Sequence, residues 1–199
     1  MAWRRWARTV HWWSGAACLA GMLLFAVTGI TLNHAHQIGA DPRITEQTGQ
    51  LPAALRVALD AGWPASGEGP LPPAIADHLT GRYGVTVAGR PVEWSGTDLY
   101  VGLPRPGGDG WISIDRQTGD IFYERTDRGP IAYLNDLHKG RNAGPVWFWF
   151  IDLFAAVSVI FCVTGLLLIQ LQARRQKLSW PITAFGAVVP VVIALIFIH

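Results

Sequence analysis

The sequence predicts an α-helical membrane protein with three transmembrane helices and a small α+β domain inserted between the first two. Three observations carry this reading. Charged residues make up 15% of the 199-residue chain, against about 25% in an ordinary soluble domain. The deficit is concentrated in three runs: no Asp, Glu, Lys or Arg occurs from Val10 to His34 or from Leu178 to His199, and Asp152 alone interrupts Pro145 to Gln172. Tryptophans gather where those runs begin, with Trp3, Trp6, Trp12 and Trp13 at the first, Trp147 and Trp149 at the second and Trp180 at the third. Indole rings favour the headgroup zone, so these clusters mark membrane edges.

The elements follow in order. Residues 1–9 form a basic N-terminus. Residues 10–34 are the first transmembrane helix, since about 20 apolar residues in helix cross a hydrocarbon core. Arg4, Arg5 and Arg8 ahead of an apolar stretch also fit a cleaved signal peptide. The run is too long for one, and it lacks an A-x-A cleavage site. Residues 35–69 connect the helix to the α+β domain and include a short amphipathic helix from Leu51 to Ala61. The domain covers residues 70–128. Pro72 to Tyr83 has helical spacing and Gly84 as its stop. Strands are expected at Val85–Val87, Pro91–Trp94, Asp98–Leu103, Trp111–Asp115 and Ile121–Arg125, with Gln117 to Asp120 as a hairpin turn. Residues 129–144 form a segment that carries His138. The second span is 145–171, followed by a short loop at 172–180. The third span, 181–198, is near the minimum length and carries Pro190 in its interior, which a neighbouring helix can accommodate.

Basic residues set the orientation. Arg4, Arg5 and Arg8 precede the first span, and Arg174, Arg175 and Lys177 separate the second from the third, with no acidic residue in either segment. The positive-inside rule places both in the cytoplasm. Residues 35–144, with ten Lys/Arg against thirteen Asp/Glu, are then periplasmic, as is the terminal His199. The net charge of +2 is the residue of this division and implies no nucleic-acid partner. Walker, G-x-S-x-G and HExxH motifs are absent from the sequence, and so is the CxxCH of covalent haem attachment. Cys18 and Cys162 both fall inside spans, where a small buried apolar role fits them better than a disulfide.

One internal repeat stands out: FAVTGITL at 25–32 returns as FCVTGLLL at 161–168. On the predicted topology the two copies lie in opposite leaflets. A glycine in such a helix lets another helix, or a flat cofactor, approach the backbone closely, and helix packing alone is a sufficient reason for it.

Histidines supply the candidate site. His11 falls at the inner start of the first span, His34 and His36 at its outer end, and His138 shortly before the second span. An ionisable residue at a membrane boundary needs a partner, so these are functional candidates. His78 belongs to the α+β domain. Two imidazoles presented at one depth can hold haem b between them. His34 and His138 are expected on the same side, with Gly29 below His34 and Arg141 available to a propionate. The other readings are interfacial histidines without a ligand, a surface H-x-H copper or zinc site made by His34 and His36, or a metal-sensing or copper-handling protein using His34, His36 and His138.

The strings RRWARTVHWWSG (4–15), VTGITLNH (27–34), ISIDRQTGDIFYE (112–124) and NDLHKGRNAGPVWFWFIDL (135–153) together resemble the PepSY-associated transmembrane helix family. The inserted domain resembles the PepSY domain. The resemblance implies a bacterial inner-membrane protein, and some members are similar to siderophore-iron reductases that bind b-type haem through paired histidines. By that resemblance His34 and His138 match the outer ligand pair and His11 an inner one. It implies an oxidoreductase, either a ferric-siderophore reductase or an electron-transfer cytochrome serving a periplasmic acceptor. The chain departs from larger members in having three spans. A core of about 30 Å is too wide for one outer haem, and His11 has no second inner histidine. A homodimer pairing His11 with its symmetry mate, or a quinol donor in the bilayer, would complete the route. PepSY modules also resemble inhibitors or chaperones in peptidase propeptides, which implies a cofactor-free binding or regulatory role as the competing reading. Asp152 is a further intramembrane polar group, suited to orienting a ligand histidine, handling a proton or pairing with Arg141.

Overall fold

Continuous apolar sequence with few helix breakers gives the longest elements, and alternation around glycine turns gives the rest. The computed structural model describes residues 2–39, 41–64 and 66–198. Along the chain run α1 (Ala2–Asn33), β1 (Arg43–Gln50), α2 (Ala53–Ala61), β2 (Gly67–Gly69), α3 (Pro73–Tyr83), β3 (Val92–Trp94), β4 (Asp98–Gly102), β5 (Gly108–Asp115), β6 (Asp120–Asp127), α4 (Gly129–His138), α5 (Gly144–Gln172) and α6 (Ser179–Phe197). Helices α1, α5 and α6 are long and apolar enough to cross a membrane. His199, the expected outer terminus, lies outside the described residues.

The chain divides into two compact units, Met1–Ala26 with Phe148–His199, and Val27–Trp147. In the first, aromatic rings of α5 fill notches left by glycines of α1. A Cβ on Gly15 would come within 2.9 Å of the Phe161 ring, and one on Gly21 would overlap the Phe154 ring. Phe25 stacks on Phe154 at 5.2 Å. Small residues that admit close approach are the usual means of packing helices in lipid, where no hydrophobic drive separates helix from solvent. Helix α6 has no buried residue although it is apolar throughout, the character of a helix whose surroundings are lipid. It contains Pro190.

The second unit is built on a six-stranded antiparallel sheet in the order β1-β6-β5-β4-β3-β2. Period-two alternation sends Leu99 and Val101 of β4, Ile112 and Ile114 of β5, and Ile121 and Tyr123 of β6 into one core. Leu59 of α2 and Ile75, Ala76 and Leu79 of α3 complete it. Helix α3 stops where expected, because Gly84 takes a left-handed conformation at φ 69° and its N–H caps the Thr80 carbonyl.

The sheet begins earlier in the chain than residue 70. β1 pairs with β6 from Arg43↔Asp127 to Gln50↔Asp120, and β2 pairs with β3. Both are edge strands, largely exposed, so their sequences carry no burial alternation to read. Val85–Val87 forms no strand. Its Val87 is fully buried in the core, and the Val87 carbonyl accepts from Arg90 N–H in a turn. Too few residues remain there for a ladder.

Candidate functional site

The segment carrying His138 is the helix α4, and its side chains explain how that histidine is held. The helix opens at Gly129-Pro130, where Gly129 adopts φ 87° and donates its N–H to Asp127 Oδ1 at 2.9 Å. Proline in the first turn loses no helical hydrogen bond. Asn135 and His138 are three residues apart and so share a face, as do Thr28 and Thr31 on α1. The two faces meet in two rungs. Thr31 Oγ1 donates to Asn135 Oδ1 at 2.7 Å, and Thr28 Oγ1 lies 2.7 Å from His138 Nδ1. Thr28 and Asn135 are buried. Trp147 donates its indole N–H to the Leu137 carbonyl at 2.8 Å, satisfying one of the last acceptors of α4.

Asp136 ties the same helix to the sheet. It is buried, and its Oδ2 accepts the Gly107 N–H at 2.8 Å and an Arg128 guanidinium N–H at 3.4 Å. Gly107 lies between β4 and β5 at φ 68°, and a Cβ there would collide with the Tyr133 backbone at 2.6 Å. The run Asn135-Asp136-Leu137-His138 therefore reads in two directions, towards α1 through Asn135 and His138 and towards the sheet through Asp136.

A second histidine is held by the same device in the other unit. His11 Nδ1 lies 3.1 Å from the Phe161 carbonyl and 3.1 Å from Thr164 Oγ1, and its ring stacks on Phe161 at 4.5 Å. A carbonyl only accepts, so Nδ1 carries the ring proton and Nε2 is left with its lone pair. Thr164 Oγ1 donates to the Ile160 carbonyl at 2.7 Å, which leaves it free to accept from the imidazole. The glycine after each threonine faces the ring: a Cβ would come within 3.6 Å of His138 Cε1 at Gly29 and 3.2 Å of His11 Cε1 at Gly165. Each copy of the repeated Val-Thr-Gly thus seats one imidazole, with the threonine at Nδ1 and the glycine near its Cε1 edge. Gly29, expected beside a flat cofactor, has the His138 imidazole as a neighbour.

His34 follows the end of α1 and is exposed. Its Nδ1 lies 2.9 Å from the Ile30 carbonyl, which fixes the same tautomer and leaves Nε2 bare. On a continued helix His34 would sit about 120° around the axis from Thr28, so it does not share the face that receives His138. His36 is exposed in the following turn and His78 is half-buried on α3. Arg141 is exposed beyond α4, and its backbone N–H donates to the Asp136 carbonyl at 2.8 Å. Asp152 is exposed on α5. Among the described residues no group of three or more His, Cys, Asp and Glu is placed to hold a metal ion.

The Nδ1 contacts of His11, His34 and His138 are of the kind a haem-ligating imidazole makes, but His34 and His138 are not brought onto one face. A porphyrin supplies four of the iron's six ligands, so one or two imidazoles suffice, and ligand histidines characteristically engage their second ring nitrogen with the protein. His11 and His34 do so through backbone carbonyls, and His138 through the Thr28 hydroxyl. Thr28, Thr164, Asn135 and Asp136 were not legible as site residues from composition or spacing. The repeated Thr-Gly was the available signal, although helix packing explains such a pair equally well until the imidazoles are seen against it.

A family model described as PepSY_TM-like matches residues 2–199. No curated protein and no solved structure matches the chain.

Proposed function

Because the chain belongs to the PepSY_TM-like family of membrane proteins, we propose that it is a haem b-binding electron-transfer protein of the bacterial inner membrane. In this reading residues 35–144 face the periplasm and both basic clusters face the cytoplasm. The protein passes electrons to a periplasmic acceptor, in the reduction of iron or of a ferric siderophore. Its donor is a quinol or a cytoplasmic reductant.

The observation that carries the reading is the pinning of Nδ1 in three boundary histidines, His11, His34 and His138. An imidazole anchored at Nδ1 is fixed in orientation, and where Nδ1–H donates, as it does to the carbonyls beside His11 and His34, Nε2 is the more basic nitrogen that an axial ligand requires. His138 and His34 are assigned to the outer haem, with Arg141 available to a propionate as a charge partner. His11 is assigned to an inner haem whose second ligand comes from a second copy of the chain. Bound haem supplies a one-electron ferric/ferrous couple. The protein's part is to fix the tautomers of His11 and His34 through the Phe161 and Ile30 carbonyls, to orient His138 and His11 through the Thr28 and Thr164 hydroxyls, and to attach the His138 helix to the sheet through Asp136. The test is a reduced-minus-oxidised visible spectrum of the purified protein. The expected result is a low-spin b-type signature with haem extractable by acid-acetone. Its absence from protein produced with ample haem favours the cofactor-free binding role.

A further inference from the structure

Four arginines converge at one end of the unit formed by α1, α5 and α6. Arg4 and Arg8 lie one helical turn apart on α1 and so share a face. Arg174 and Arg175 follow the end of α5. Together with Leu168 and Gln170 they line a cavity of about 770 Å³.

Acidic side chains of the same unit do not balance this charge. Six basic residues fall in this unit, Arg4, Arg5, Arg8, Arg174, Arg175 and Lys177, and its single acidic residue is Asp152. Asp152 lies near the start of α5, whereas Arg174 and Arg175 follow its other end. Guanidinium groups facing one cavity repel one another unless an anion sits among them, and their planar forks suit phosphate oxygens. The wall is mixed: Leu168 and Leu171 add apolar surface beside the arginines and two glutamines. A basic cavity between helices at a membrane edge, with an apolar side, has the character of a lipid-headgroup site.

We infer that this cavity binds a phosphate-bearing anion, held by Arg4, Arg8, Arg174 and Arg175. An anionic phospholipid headgroup and a soluble phosphate compound share that chemistry, and the cavity's apolar wall favours the lipid. The inference is independent of haem.

The experiment uses the full-length protein in nanodiscs of phosphatidylcholine, with and without a minor fraction of phosphatidylglycerol. Native mass spectrometry reads retained lipid and thermal unfolding reads protection. Wild-type protein should retain phosphatidylglycerol in preference to phosphatidylcholine and unfold at a higher temperature with it. Arg8→Gln with Arg174→Gln should lower that retention by about tenfold, at the worth of basic residues near anionic lipid. Arg5→Gln with Lys177→Gln removes the same charge from residues that do not line the cavity and should change retention by less than about twofold. A reporter fused after Lys177 checks that both pairs insert like wild type. Inorganic phosphate, added to phosphatidylcholine discs, is the second arm. Protection by phosphate equal to that by lipid assigns the site to a soluble phosphate and upholds the shared chemistry. Equal losses in the two variant pairs, or no protection of the wild type by either anion, would overturn the inference.

Discussion

His138 Nδ1 and the Thr28 hydroxyl stand 2.7 Å apart, a contact between α4 and α1 that joins residues far apart in the chain. His11 and Thr164 form its counterpart at 3.1 Å in the other unit. The repeated Val-Thr-Gly accounts for both, because each copy offers a hydroxyl at Nδ1 and a glycine near the Cε1 edge of the imidazole.

Thr28→Val keeps the side-chain volume and removes the hydroxyl. If His138 is an axial ligand, loss of this outer-shell contact should weaken haem binding by about 10–100-fold. It should also raise the midpoint potential, since a less basic imidazole stabilises ferric iron less. Thr28→Ser should restore both. Haem titration and a redox titration of the three proteins make the comparison, and an unchanged potential in Thr28→Val would remove Thr28 from the ligand's support.

Asp136→Ala deletes the carboxylate that accepts the Gly107 N–H and the Arg128 guanidinium. A buried N–H left without its acceptor costs about 1–3 kcal/mol, so thermal stability should fall by that order. Hydrogen exchange should accelerate at Gly107 and along α4, and less in the sheet core around Leu99 and Ile112. Uniform acceleration throughout the sheet would mean that Asp136 supports the whole domain and not this one attachment.

Acid should weaken the domain in a defined direction. The Asp115 carboxyl is held below the usual carboxylate range by the Thr118 backbone N–H, with the Thr118 hydroxyl and the Gln117 N–H adding to it. Asp127 is lowered by the Arg105 guanidinium and then by the Gly129 N–H. A carboxyl whose pKa is depressed on folding contributes stability above its unfolded value of about 4, and that contribution is lost as pH falls through the lower folded value. Stability should therefore decline below about pH 4, and Asp115→Asn should flatten the decline. An identical acid profile in the variant would remove Asp115 as a source of it.

How much of this could be read from the sequence depends on whether one segment carries its own pattern. The spans could be read because α1, α5 and α6 are each apolar over a membrane's width. β4, β5 and β6 could be read because Leu99, Val101, Ile112, Ile114 and Ile121 alternate with less buried neighbours. β1 could not, since its RITEQTGQ run is exposed along nearly its whole length and becomes a strand only through pairing with β6. The histidines themselves were visible as ionisable residues at membrane edges. Their seats were not, because Thr28 meets His138 and Thr164 meets His11 only after folding. Asp136 was hidden for the same reason: its main partner is the backbone N–H of Gly107, which no spacing rule identifies.

Topology is testable apart from any cofactor. A reporter inserted near Gly108 should behave as periplasmic and one fused after Lys177 as cytoplasmic, because both basic clusters flank spans on one side. A cytoplasmic signal at Gly108 would reverse the assignment of His34 and His138 to the outer face.

The most direct measurement is the reduced-minus-oxidised spectrum of His34→Ala, His138→Ala and His36→Ala beside the wild type, at equal membrane insertion. If His34 and His138 are the two axial ligands of one low-spin haem, each of their variants should lose that haem or turn it high-spin and five-coordinate, to a similar degree. His36→Ala should stay close to wild type, as a residue exposed in the turn beyond α1. A normal low-spin haem spectrum in both His34→Ala and His138→Ala would contradict the ligand pairing and the electron-transfer function built on it.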